Sequence, residues 1–152
     1  MRTTLALLFA LSCALFSGCA STPKQTLTPM QIQQIQSRTY EAEYNVTFRS
    51  VVSVFQDLGY TIKSADIATG FITAESAAKS DDSAKFWTGS TKVDQTAATG
   101  FVEAIGGKTL VRLNFVNRVE TSTQHGRNDK DETAVYAPEP YQVAFERIEN
   151  AI

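Results

Sequence analysis

Thiol and imidazole chemistry is confined to three side chains in this 152-residue chain: Cys13, Cys19 and His125. Cys19 is the one whose setting names a reaction. It follows Leu15-Phe16-Ser17-Gly18 at the close of an apolar run, with small residues at 17 and 18 where a signal peptidase requires them. The pattern reads as a bacterial lipobox, in which the Cys19 thiol accepts lipid and becomes the first residue of the mature protein. Phe16 stands where such boxes more often carry Leu. Cys13 is preceded by Ala10-Leu11-Ser12, which puts a bulky side chain at a position needing a small one, so it leaves with the signal.

The remaining candidates for chemistry lack partners. His125 sits in Thr123-Gln124-His125-Gly126-Arg127, with no nucleophile or acid at a telling spacing, and reads as a solvated loop residue. Gly106-Gly107-Lys108-Thr109 imitates the end of a phosphate-binding loop, but Val102 stands where a glycine is needed and a strand pattern follows. Asp129, Asp131 and Glu132 imitate a calcium loop, but Lys130 intervenes and the glycine of that motif is missing. Asn45-Val46-Thr47 has the form of a glycosylation acceptor, and its more useful role is Asn45 as a helix cap. No catalytic residue, metal site or cofactor is expected. Phe86-Trp87 differs from these. Two adjacent large rings in a polar stretch either fold back on the domain or anchor a partner, with Arg127 as a polar contact.

These residues are positioned by three segments. Arg2 and the apolar stretch from Leu5 to Phe16 make residues 1–18 a signal peptide, too short to span a bilayer permanently. Residues 19–37 hold the lipidated cysteine, a small polar tether and a short helix opened by the capping box Thr28-Pro29-Met30-Gln31. Residues 38–152 form one domain. With both cysteines spent, that domain has no disulfide and is held by its apolar core. Of the 14 basic side chains Arg2 leaves with the signal, so 13 face 16 acidic ones and the mature net charge is −3. That balance excludes nucleic acid as a natural partner.

Within the domain, Tyr40, Ala42 and Tyr44 alternate with Glu41 and Glu43 as a strand would. Phe48, Val51, Val52, Phe55 and Leu58 recur at helical spacing, and Gly59 stops that helix. Two strands, Tyr60–Ser64 and Phe71–Glu75, join through Asp66 to Gly70. Residues 77–94 are polar and read as a long loop. Strands over Thr96–Ile105 and Lys108–Glu120 meet at the Gly106-Gly107 turn. In the second, Val111, Leu113, Phe115 and Val119 take one face and Arg112, Asn114 and Arg118 the other. Residues 121–133 read as a second loop. Tyr141, Ala144, Phe145, Ile148, Ala151 and Ile152 mark a closing helix. The order β-α-β-β-β-β-α predicts an α+β two-layer sandwich, an antiparallel sheet of about five strands covered on one face by two helices.

The strings Tyr44-Asn45-Val46-Thr47-Phe48, Phe55-Gln56-Asp57-Leu58-Gly59-Tyr60-Thr61-Ile62, Ser64-Ala65-Asp66 and Thr69-Gly70-Phe71-Ile72-Thr73-Ala74, with the terminal Ala144-Phe145-Glu146-Arg147-Ile148, resemble uncharacterised lipoproteins of Gram-negative bacteria. In outline the order is also similar to the helix-grip modules of BamC, a lipoprotein of the outer-membrane barrel-assembly machinery. The resemblance carries no catalytic motif. It implies a non-enzymatic lipoprotein held by lipid on Cys19, with an envelope protein complex as its partner. The alternative is a periplasmic binder of a small hydrophobic or cell-wall-derived ligand. Ala20 after the cysteine implies outer-membrane sorting with the domain facing the periplasm. The binding residues are expected in the two long loops, at Phe86, Trp87 and Arg127. Failing those, they are expected on the wet face of Arg112, Asn114 and Arg118.

Overall fold

The computed structural model describes residues 27–81, 90–123 and 128–152. Its elements are α1 (Pro29–Gln36), β1 (Ser37–Tyr40), α2 (Tyr44–Asp57), β2 (Tyr60–Asp66), β3 (Phe71–Ser76), β4 (Lys79–Asp81), β5 (Ser90–Ile105), β6 (Lys108–Thr123), β7 (Asn128–Ala134) and α3 (Pro138–Ala151). The fold is α+β, an open antiparallel sheet with helices on one face, as the sequence predicts. Among the described residues the sheet has seven strands rather than about five.

The extra strands lie where polar composition predicts loops. β5 begins at Ser90 rather than Thr96, β4 pairs with it, β6 runs on to Thr123, and β7 pairs with β6. A ladder needs backbone partners and not apolar side chains, so hydrophobic alternation does not reveal a strand that no helix covers. The start of the domain shifts as well. β1 ends at Tyr40, opposite Thr109, and the Thr109 hydroxyl holds the Ala42 carbonyl at 2.7 Å. Asn45 does not cap α2, because the helix starts two residues earlier than such a cap implies, with Glu43 at the N-cap. Tyr44 is drawn into the helix by its ring contact with Phe48 and its hydroxyl bond to the Ile67 carbonyl.

The strand order β1-β6-β5-β3-β2 makes β5 the middle strand of a five-stranded half. On its covered face lie Ile72, Ala74, Ala98, Val102, Val111, Leu113 and Phe115, all nearly free of solvent. Phe48, Val51, Val54 and Phe55 of α2 and Tyr141, Ala144, Phe145 and Ile148 of α3 close over them. α2 sits directly over Gly100, where a Cβ would make ordinary contacts at 3.4 Å with Val51 Cγ1 and 3.5 Å with Phe55 Cε2. Gly70, by contrast, is required. Its φ is +76°, and a Cβ would fall 2.1 Å from the Val102 carbonyl oxygen. Gly106 and Gly107, at φ 57° and 81°, form the predicted two-residue hairpin turn. The capping box of α1 forms as read, and Ile35 packs that helix against the core.

β5 and β6 pair over all 16 residues of each, about 50 Å at the usual rise. Among the described residues, only the half near the glycine turn has helices on it. The other half continues as a ribbon ordered β4-β5-β6-β7.

Candidate functional site

At the boundary between the two halves, the flanking strands change on both sides. On one side β3 ends at Ser76 and β4 begins at Lys79. Ser76 bridges the gap, its Oγ accepting from Thr96 N at 2.9 Å and its carbonyl from Gln95 Nε2 at 3.0 Å. On the other side β7 ends opposite Val116 while β1 starts opposite Arg112. There the buried Tyr141 hydroxyl accepts from Phe115 N at 3.3 Å and donates to the Val135 carbonyl at 2.7 Å. Gln36 Nε2 donates to the same hydroxyl and to Asn114 Oδ1, each at 3.3 Å. One hydroxyl thus uses its donor and both lone pairs to close the ladder.

Beyond that boundary the ribbon carries polar side chains on both faces. Lys92, Asp94 and Thr96 of β5, with Asn117, Val119 and Thr121 of β6, continue the covered face, with no helix among the described residues over them. On the opposite, open face an ionic row crosses the sheet. Lys63 Nζ lies 3.3 Å from Glu75 Oε2, Arg118 Nη1 3.1 Å from Glu75 Oε1, and Arg118 Nε 2.9 Å from Glu132 Oε1. Lys130 and Glu120 add a pair at 2.7 Å. A polar cleft of about 510 Å³ opens beside the Ser76 step, lined in part by Lys79, Lys92, Gln95, Thr96 and Asn117.

Cys19, Phe86, Trp87, Arg127 and His125 lie outside the described residues. The residues flanking the two long segments lie at one end of the ribbon: Asp81 pairs with Lys92, Ser90 with Thr123, and Ser122 with Asn128. The residues flanking both segments therefore lie at the end of the sheet away from the Gly106-Gly107 turn. Asp129, Asp131 and Glu132 belong to β7, where neighbouring side chains point to opposite faces, so they do not form a calcium loop. Lys108 and Thr109 open β6 and are held by Glu41 and the Ala42 carbonyl, so a strand and not a helix follows the turn. Among the described residues, no group of three or more His, Cys, Asp or Glu side chains is arranged to hold a metal, and no helix is long and apolar enough to cross a membrane.

Sequence reasoning pointed to Arg112, Asn114 and Arg118 as a wet face but missed the rings beside them. Phe71 and Phe101 stack at 4.7 Å between centroids on that face, and Phe71 is 57 % exposed. The signal was there in alternation: Phe71 and Phe101 sit out of phase with Ile72 and Val102, which face the core. A second cleft, of about 350 Å³, lies between α1, β1 and α3, with Leu27, Ile35, Pro138 and Phe145 as its apolar wall and Gln34, Gln142 and Arg38 as polar groups. Arg38 stacks on Phe145 at 5.2 Å and pairs with Glu149 at 3.4 Å.

The titration of the core is set by burial. Desolvation pushes the Tyr40 phenol well above its ordinary value, against the nearby Arg38, and its hydroxyl donates to the Phe145 carbonyl at 3.0 Å. Burial also raises Tyr60, with Tyr141 adding to it. At the surface, the Ala68 amide and the Thr69 hydroxyl hold the Asp66 carboxyl below its usual range. No known family model matches this chain, and no curated protein matches it in sequence.

Proposed function

We propose that this chain is a non-enzymatic lipoprotein of the bacterial cell envelope, held to the outer membrane by lipid on Cys19 and facing the periplasm. On this reading it belongs with the uncharacterised Gram-negative lipoproteins it resembles. It works by binding a protein complex of the envelope, and the ribbon β4-β5-β6-β7 is its presenting arm. The observation that carries the reading is the uncovered half of β5 and β6. A strand pair prolonged by about 25 Å past its core has no packing role there, and it brings the ends of segments 82–89 and 124–127 together. Loops on a rigid scaffold are where binding residues concentrate. Phe86, Trp87 and Arg127 are carried by those two segments.

The test is a Phe86→Ala, Trp87→Ala double variant of the full lipidated chain. Loss of the co-purifying envelope partner with an unchanged melting temperature supports the arm. Retained partners with a lowered melting temperature defeat it, because the rings then pack on the domain. Replacing Cys19→Ala should leave unprocessed or soluble protein, and unchanged retention in washed membranes would remove the anchor from the reading.

The cleft between α1, β1 and α3 favours a second reading, a binder of a small hydrophobic or cell-wall-derived ligand. Its volume lies within the usual range for small-molecule sites. Mass spectrometry of organic extracts from the purified full chain distinguishes the two. A stoichiometric small molecule lost in a Phe145→Ala variant that still folds would support the second.

A further inference from the structure

α1 has eight residues, too few for a stable helix by itself, and none of them is fully buried. Its capping box, the packing of Ile35 and the bonds from Gln36 to Asn114 and Tyr141 hold it in place. No charged residue stands between Lys24 and Arg38, so the helix and both its flanks are neutral. Solvated helices carry charge on their outer face, whereas the centres of interfaces are depleted of it. Arg38, which ends the neutral stretch, is engaged by Glu149 and the Phe145 ring.

Two features of opposite shape lie side by side on this surface. The hollow is the cleft of about 350 Å³ between α1, β1 and α3, with Ile35 and Phe145 in its wall. The projection is Met30, 71 % exposed and the most exposed large hydrophobic residue among those described. Gln31, Gln34 and Ile35 share the helical stripe that lines the cleft. Met30, four residues before Gln34, stands on its outer rim. A lone exposed apolar side chain is ordinary. Beside a neutral hollow that it does not itself fill, it makes a knob and a hole on one surface.

We propose that two copies of the chain pair through this surface about a two-fold axis, with Met30 of each copy seated in the cleft of the other. A two-fold contact must be self-complementary, and a knob beside its own hole, with no charge to repel its image, meets that condition. The Met30 thioether is unbranched and polarizable, suited to an irregular cleft with an aromatic wall, which Phe145 supplies. The place of the anchor agrees. Leu27 lines the same cleft, and Cys19 precedes it by eight residues, a reach of at most about 29 Å. Both tethers thus start at the contact, where two copies held in one bilayer can meet. A helix of this length spans about 12 Å, so the contact is smaller than a standard interface. Sharing a membrane raises the effective concentration of the copies and offsets that small size. The pairing rests on the anchored reading for its strength and not for its geometry.

The experiment co-expresses two full-length copies with different affinity tags and reads their pairing in intact membranes. With Met30→Cys on the first copy and Gln142→Cys on the second, oxidation should link the two tags. Met30→Cys with Val46→Cys, on the exposed side of α2, should not link. A two-fold requires that spoiling one of its two contacts weaken the other. Adding Met30→Lys to the second copy should therefore cut linking by more than about tenfold, because a cation enters a neutral cleft beside Arg38. Met30 is largely exposed in the single chain, so that variant should melt as the wild type does. Adding Gln142→Glu to the first copy should then restore linking, since the new cation meets a carboxylate in the cleft it enters. No link in the first pair would overturn the proposal. So would linking that ignores Met30→Lys, a triple combination that Gln142→Glu does not rescue, or a stoichiometric small molecule found in the cleft. Should the chain prove unanchored, the same pairs are read on the purified chain carrying Cys13→Ser and Cys19→Ser. Linking there keeps the proposal, and its absence ends it.

Discussion

β5 and β6 are joined by the same unbroken ladder from end to end, yet the two ends of that ladder are stabilised differently. Near the glycine turn, Ala98, Gly100, Val102, Val111, Leu113 and Phe115 lie under two helices. At the far end the equivalent positions are Lys92, Asp94, Thr96, Asn117, Val119 and Thr121, with no helix among the described residues above them. Backbone pairing is alike in both, so the difference isolates what packing adds. Fully burying a Val, Leu or Phe side chain contributes roughly 1.5–3 kcal/mol, whereas an exposed cross-strand pair contributes roughly 0.2–1 kcal/mol. Stability should therefore be concentrated in one half, and sequence should be free to vary for contact in the other.

The comparison breaks most sharply at Phe55, wholly buried on α2. Phe55→Ala should cost about 3–5 kcal/mol in chemical denaturation, and Phe145→Ala on α3 about the same. Truncating Val119→Ala in the ribbon should cost under about 1 kcal/mol. If the two classes of variant melt alike, the ribbon is packed against something and the contrast is wrong. Next is Gly70→Ala, where a left-handed backbone and the Val102 carbonyl both oppose a side chain. It should destabilise by more than about 1 kcal/mol, measured the same way.

Tyr141→Phe sharpens the line between the halves. It leaves the Phe115 amide and the Val135 carbonyl without their partner at a buried site, costing about 1–3 kcal/mol. Amide hydrogen exchange should show the loss first at Phe115 and then along β7, with the five-stranded half protected as before. Alkaline pH offers a gentler probe of the same half. Tyr40 and Tyr60 have folded values raised by burial above their unfolded ones, so their neutral forms favour the fold. That contribution is complete below about pH 10 and is lost as pH rises through the folded values. Thermal melts should thus fall beyond about pH 10 more steeply than in a Tyr60→Phe variant. The smallest effect is expected at Lys130→Ala, where an exposed pair with Glu120 contributes at most about 1 kcal/mol.

The same contrast explains what was legible in the sequence. Where helices cover the sheet, residues announce their place: Val111, Leu113 and Phe115 alternate, Phe48, Val51 and Phe55 recur at helical spacing, and Gly59, Gly70 and Gly106-Gly107 mark the turns. Val54 escaped that stripe because it lies at its margin, and tertiary packing buries it. In the ribbon the polar string Asn128-Asp129-Lys130-Asp131-Glu132-Thr133-Ala134 has no apolar period, so a paired strand reads as a loop. Of the candidate site, the wet face with Arg112, Asn114 and Arg118 was readable from alternation alone. The ladder closure by Tyr141 and Ser76 was not, since one hydroxyl serving residues 26 and 6 positions away leaves no mark in local spacing.

Four of the seven residues in β7 are charged, β4 has only three residues, and β1 only four. The edge strand β2 carries a register break between Ile62 and Ser64, with Lys63 at the bulge. A sheet edge with unpaired amides and carbonyls recruits further strands from any chain it meets, and short length, charge and bulging are what discourage this. Each exposed edge here carries at least one of these guards, so a molecule with a strand pair about 50 Å long is protected from polymerising through its margins. Association is thereby steered away from open-ended strand addition, which has no natural stopping point, and toward the sheet's faces, where a finite complex can close.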